Sequence, residues 1–406
     1  MKKQDSQLRG RRDFIKQAGF LGAGLLAGTS SLPAMAQITA SSASSACNHD
    51  HQQTPFFGPH QAGITTPAQK HIYFMVLDLH SQDINEIKEM FQTWTKYSQK
   101  LTKGEMVEGY SENGYIPPKD TGEAEDLPTY NLTLTFGVSP SFFKKLNIEK
   151  FCPPELVDLP HFPRDQLREE YSGGDICIQA CADDPQVAFH AVRNLVRVAR
   201  SHITMHWSQS GFNSFDKHTP RNLFGFRDGT ANLQQGEALD KVVWYQGNNW
   251  LKEGSFLIAR RVQMFLETWD RTNLNEQQNT FGRYKQNGAA YGQKEEFDKV
   301  ELGTDEKPIL PEDSHVHLAK KAGMEILRRS YSYASGVDQK TGQFDTGLLF
   351  ISFQHNPENF IKIQKMLGNI DKMNEYITHV GSGIFACFAG VKDQDDYLGK
   401  ALFEQV

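Results

Sequence analysis

HIYFMVLDL at residues 71–79, followed by INEIKEMFQTWTKYSQKL at 84–101, is the stretch from which the fold is read. The first run is rich in β-branched and aromatic residues, the composition of a strand packed in a sheet. In the second, Ile84, Ile87, Phe91, Trp94 and Leu101 recur at the spacing of one helix face, predicting a helix over 83–100. Working outward, 104–128 reads as loop through Gly114, Pro117, Pro118 and Gly122. Leu132, Leu134 and Phe136 alternate on a strand at 131–136, and 174–182 is a second strand. A helix over 185–201 carries Val187, Val192, Leu195, Val196 and Ala199, and 203–212 closes the unit. The order β-α-β-β-α-β is that of a ferredoxin-like unit.

The remainder follows the same order. A strand at 255–265, a helix at 266–281, a strand at 347–354, a helix at 358–367 and a strand at 383–390 make a second half. A long irregular insertion, 283–327, interrupts it, and such insertions in compact domains are usually functional. The fold expected is α+β: a duplicated ferredoxin-like fold of the dimeric α+β-barrel type, with antiparallel sheets facing each other and helices outside. The division is 1–36 leader, 37–70 polar linker, 71–212 first half, 213–254 connecting segment and 255–406 second half.

Composition narrows the function classes. The chain has 406 residues, 43 Lys+Arg against 49 Asp+Glu, 33 Gly and 5 Cys. That length buries a sizeable core, and collagen-like, low-complexity and disulfide-scaffold classes are excluded. A net charge of −6 argues against nucleic acid as partner, because that binding draws on clustered cations. Cys177 and Cys181, four apart on one predicted strand, stand about 13 Å apart and read as buried free thiols.

The N-terminus reads as an address. Gly10 to Lys16 carries Arg11-Arg12 in a twin-arginine pattern, an apolar run of ten residues follows, and Ala34-Met35-Ala36 fits a cleavage site. The run is too short to span a bilayer. Cleavage leaves 37 basic against 47 acidic residues, a net charge of −10. The protein is therefore expected to be exported by the twin-arginine pathway to the periplasm or the cell exterior. That route carries folded proteins, commonly with a cofactor inserted. Asn48-His49-Asp50-His51, near the new start, reads as a solvated tail.

Familiar catalytic templates are missing: there is no Walker A loop, G-x-S-x-G elbow, HEXXH or paired C-x-x-C. What stands out is Gly225-Phe226-Arg227-Asp228-Gly229-Thr230, and later Ser314-His315-Val316-His317 with Arg328-Arg329. By spacing alone, Asp228-Gly229 is a turn. His315 and His317 are two apart, so on an extended segment they share a face and either could ligate a metal. Arg328 and Arg329 follow Leu318, Ala322, Ile326 and Leu327 and could equally be a solvated helix end.

Taken together, these residues resemble the dye-decolourising (DyP-type) haem peroxidases over nearly all of residues 70–400. The run 225–230 is similar to the family's G-x-x-D-G signature, and the leader is similar to that of its exported deferrochelatase/peroxidase branch. The resemblance implies haem b, one per chain, with His315 as the proximal iron ligand, Asp228 and Arg328 as distal catalytic residues, and Gly229, Leu348 and Phe350 in contact with the cofactor. Many members carry arginine two residues after the proximal histidine. This chain has His317 there, so spacing leaves both histidines open, and the resemblance selects His315. It also lacks the Asn-Pro-Arg stretch of many relatives between His315 and Arg328.

The activity implied is a peroxidase that reduces hydrogen peroxide while oxidising dyes, phenols or ferrous iron, in a homo-oligomer serving iron uptake with components of that system. Trp244, Tyr245 and Trp250 lie near the Asp228 loop in sequence as candidate electron carriers. Asp228 would act as general base, and an ordinary carboxylate, with a pKa of about 3.9, stays ionised where histidine is protonated, so an acidic optimum is expected. The other reading is an exported haem-binding or haem-iron-releasing protein without significant turnover.

Overall fold

The computed structural model describes residues 53–214, 219–233, 235–304 and 306–406. The expected leader at 1–36 and the His49–His51 tail lie outside these residues. Strand β1, His71–Leu79, runs into helix α1, Ile84–Leu101. Asp83 caps α1 by accepting the Asn85 amide at 2.8 Å. Its inner face buries Ile87, Met90, Phe91, Trp94 and Leu101, and the Trp94 indole donates to the Leu195 carbonyl of helix α2, Pro185–Ala199. Pro185 at the first turn and Asp184 as cap start α2 in the same manner.

Strands β2 (Thr133–Val138), β3 (Ile176–Ala182) and β4 (Ile203–Phe212) complete the first half. The second comprises β5 (Ser255–Met264), helix α3 (Leu274–Phe281), helix α4 (His315–Lys321), β6 (Tyr331–Val337), β7 (Phe344–Gln354), helix α5 (Glu358–Leu367) and β8 (Ile377–Cys387). Within each half the middle two strands of the sheet are the first and third, flanked by the second and fourth. The halves then join edge to edge, β8 to β2 and β4 to β6, so that the order β5-β8-β2-β3-β1-β4-β6-β7 returns to β5. In keeping with the α+β-barrel type expected, the described residues form one closed antiparallel barrel, which leaves these strands no long open edge.

Alternate residues of each strand fill the barrel. Phe74, Val76, Trp207, Leu257, Tyr331, Phe353 and Phe385 pack in its interior. At one seam Gly137 of β2 stands opposite both Cys177 and Cys387, and a side chain there would come within 3.1 Å of either sulfur. Cys152, Cys177, Cys181 and Cys387 are free, and burial pushes the Cys177 thiol well up. The stretch before β1 also belongs to the core: Ile64 is buried in the barrel, and the Gln61 carboxamide bonds the Phe136 amide and carbonyl. Gln61 adds to the stretch's polar composition while satisfying buried backbone groups.

Four expectations change. The helix read over 266–281 is interrupted; Asn273 restarts it by accepting the Glu276 amide at 3.1 Å. Strand β6, rich in Ser332, Ser335 and Gly336, has too little hydrophobic alternation to be read, yet it supplies the second half's missing strand. The insertion contains α4, so His315 and His317 do not share an extended face. Two steps of about 100° set their side chains about 200° apart. Arg328 lies on the two-residue strand Leu327–Arg328, which pairs with β7, and not at a helix end.

Candidate active site

The loop that carries Asp228 is built from its neighbours' backbone. The Asn222 side chain accepts the amides of Phe224 and Phe226, at 3.1 and 3.2 Å, and the Asp228 amide donates to the Pro220 carbonyl at 2.9 Å. Gly229 has φ +99°, a conformation that L side chains rarely adopt, so the residue after Asp228 must be glycine for this turn. Phe224 and Phe226 anchor the loop: Phe226 stacks on Phe281 at 4.0 Å between centroids, and Phe224 lies 4.4 Å from Trp269. Asp228-Gly229 is thus a turn, and the turn presents a carboxylate.

That carboxylate meets Arg328. Arg328 Nη2 donates to Asp228 Oδ1 at 2.5 Å, with side-chain exposures of 27% and 16%. No other group bonds the carboxylate among the described residues, which leaves Oδ2 as an open acceptor. The guanidinium carbon of Arg328 sits 5.5 Å from the Phe350 ring centroid. On β7, Leu348 and Phe350 face away from the barrel interior, to which Leu349 and Ile351 belong. Opposite them on β5 stand Val262 and Arg260, and opposite Val262 on β8 stands His379. Arg260 is buried and ion-paired with Asp165, and burial lowers its pKa. Burial, with the charge of Arg260 nearby, brings His379 down to about 3, so it is neutral.

His315 opens α4. Its Nδ1 lies 2.7 Å from Asp371 Oδ2, and the other oxygen of Asp371 accepts the Met373 amide at 2.8 Å. With Nδ1–H donating to the carboxylate, Nε2 is the lone-pair nitrogen. Among the described residues nothing bonds it, and the ring remains 31% exposed. His317 is 6% exposed, and its Nδ1 is buried without a hydrogen-bond partner. One apolar cluster joins the two sides of the site: Phe224 and Phe226 precede Asp228, Met373 follows Asp371, and all three pack with Val262 and Leu348.

These residues fit an iron porphyrin. A single oriented imidazole holds iron where a macrocycle supplies the remaining donors. The outward face of Leu348, Phe350 and Val262 offers an apolar wall, and Arg260 and Arg328 each keep a buried Nε without a partner, donors suited to anionic groups. Gly229 lies in the turn beside Asp228. Trp244, Tyr245 and Trp250 are not in this apolar cluster; Trp244 packs with the barrel core and Trp250 with the helix-side core. Sequence reading missed Asp371, 56 residues from its histidine and in no motif. It also missed Asn232, whose carboxamide bonds the Arg328 backbone and which does lie in the run after Asp228.

Comparison with known proteins gives concordant matches. Residues 61–213 match the family model "Dyp-type peroxidase, N-terminal" and 219–392 match "Dyp-type peroxidase, C-terminal". The deferrochelatase of Escherichia coli (strain K12) is 36% identical over 373 residues, covering 87% of this chain and 88% of that protein. Among solved structures, a DyP-type peroxidase from Streptomyces coelicolor aligns with a TM-score of 0.80 at 32% identity, covering 87% of this chain and 97% of that one. Ferric DtpA from Streptomyces lividans aligns with a TM-score of 0.80 at 33% identity over the same shares.

Proposed function

Since this chain belongs to the Dyp-type peroxidase family, we propose that His315 holds its haem from the proximal side and that Asp228 and Arg328 form the distal pair acting on hydrogen peroxide. The protein is a haem-dependent peroxidase, an oxidoreductase that reduces peroxide at the expense of a reductant. Bound haem supplies the redox-active iron at which peroxide is reduced. The chain's own residues supply the proton handling. Asp228 Oδ2 takes the proton from one peroxide oxygen and returns it to the other as that oxygen leaves as water. Arg328, donating to Oδ1, fixes the carboxylate's orientation and presents positive charge where negative charge develops. Asp371 holds the His315 ring through Nδ1, so that Nε2 is aimed and electron-rich.

The observation that carries this reading is the 2.5 Å contact between Asp228 and Arg328, residues a hundred positions apart that a loop and the short strand Leu327–Arg328 bring together. Replacing Asp228 by Asn keeps the shape and removes the base. Stopped-flow mixing with peroxide is expected to show the first step slowed by about 10²–10⁴-fold with haem still bound; an unchanged rate would remove Asp228 from the mechanism.

Haem b, one per chain, is the form we assign. Leu348 and Phe350 offer the apolar wall, with Gly229 beside it. The deferrochelatase relatives support an iron-related role, with ferrous iron, dyes or phenols as reductant and iron-uptake components as partners of a homo-oligomer. Export by the twin-arginine route, with cleavage after Ala36 and 37–70 as the lead-in to two ferredoxin-like halves joined through 213–254, accords with the leader sequence. Among the described residues no helix is long and apolar enough to cross a membrane.

A further inference from the structure

We propose that Asn232 is a positioning residue for the peroxide step: its carboxamide clasps the backbone of Arg328 and thereby sets where the guanidinium meets Asp228. This rests on the distal role of Arg328 given above. Arg328 stands opposite Ser352 of β7, and the ladder bond at this point is made by the next residue, whose amide donates to the Ile351 carbonyl at 2.8 Å. In an antiparallel pair the residue at the alternate position turns its own N–H and C=O outward. Arg328 would present those two groups at an open edge. Asn232 takes both. Its Oδ1 accepts the Arg328 amide at 2.9 Å, and its Nδ2 donates to the Arg328 carbonyl at 2.7 Å.

The clasp is tied to the base by a short path. The Asn232 amide donates to the Gly229 carbonyl at 3.0 Å, closing the turn that begins directly after Asp228. The catalytic carboxylate and the arginine strand are therefore joined twice, by the ion pair and by one side-chain amide. The second link matters because the guanidinium has little else to hold it. Asp228 is its one hydrogen-bond partner among the described residues, and its Nε is buried without any. Where its head group reaches is set by where its backbone sits. The site requires a planar group with one acceptor and one donor side by side, which asparagine supplies and aspartate does not.

The test uses haem-loaded protein with Asn232→Ala and Asn232→Asp, each alone and combined with Arg328→Leu, read by amide hydrogen exchange over the 327–330 peptide and by stopped-flow reaction with peroxide. The Arg328 amide is expected to exchange roughly tenfold faster in either variant. Peroxide reaction should slow by about 10- to 100-fold in the parent background but by less than about twofold on top of Arg328→Leu, with the Soret band unmoved, because the residue acts through Arg328. Equal slowing in both backgrounds, or unchanged exchange at 327–330, overturns the proposal while leaving the distal pair intact. A normal rate in Arg328→Leu alone overturns the distal reading itself and the catalytic part of this one. If Asn232→Ala does not fold, Asn232→Asp carries the same cycle.

Discussion

The Nδ1 of His315 is engaged by Asp371 and its Nε2 is left open, whereas His317, two positions on, is buried on another side of the same helix. Ligand choice follows from that asymmetry, since an imidazole ligand needs one nitrogen fixed and the other presented. His315→Ala is expected to purify without a Soret band, and His317→Ala with one; the reverse pattern would move the ligand to His317. Asp371→Asn keeps an acceptor but removes the charge that strengthens the bond. Haem should be retained with affinity weakened by about 10–100-fold, measurable as faster haem transfer to an apo-globin. An unchanged transfer rate would show that Asp371 does not tune the ligand.

Among the elements, one acid is part of what holds the loop at 104–128 to helix α2, beside bonds made by Asn194 and Arg197. Glu123 accepts from His190 Nδ1 at 2.9 Å and from Thr121 and Arg193. Burial alone would raise its pKa, but these hydrogen bonds prevail and bring it to about 2 from an ordinary 4.5. A carboxyl whose folded pKa is depressed stabilises the protein above its unfolded value and loses that contribution as pH falls through the folded one. The melting temperature of Glu123→Gln should therefore lie below the parent's by a constant margin above about pH 5, and the margin should close between 4.5 and about 2. A margin that persists unchanged to pH 2 would show that this attachment is not ionic.

At the scale of the molecule, the two halves share one barrel and one interior. Phe74 of the first half lies 5.4 Å from the Trp207 ring and 6.4 Å from that of Phe385 in the second. Phe74→Ala is expected to cost about 3–5 kcal/mol, measured by urea unfolding. Because the cavity would open between the halves, both should unfold together, giving coincident transitions for probes near Trp94 and Trp269. Two separated transitions would mean that each half carries a core of its own.

The sequence by itself determined the elements whose signals are local: β1 and α1 through their hydrophobic periods, α2 through Asp184-Pro185, and the Asp228-Gly229 turn through glycine's freedom at positive φ. It also carried, β6 apart, the order of elements that duplicates the ferredoxin-like unit, and the family motif. Only the tertiary structure decided which strand edges close the barrel, because the pairing of β8 with β2 and of β4 with β6 depends on strands far apart in the chain. It also decided that Asp371 belongs to His315 and Asn232 to Arg328. Those pairings span 56 and 96 residues, and a hydrogen bond at such separation leaves no periodicity in the chain for its partners to be recognised by.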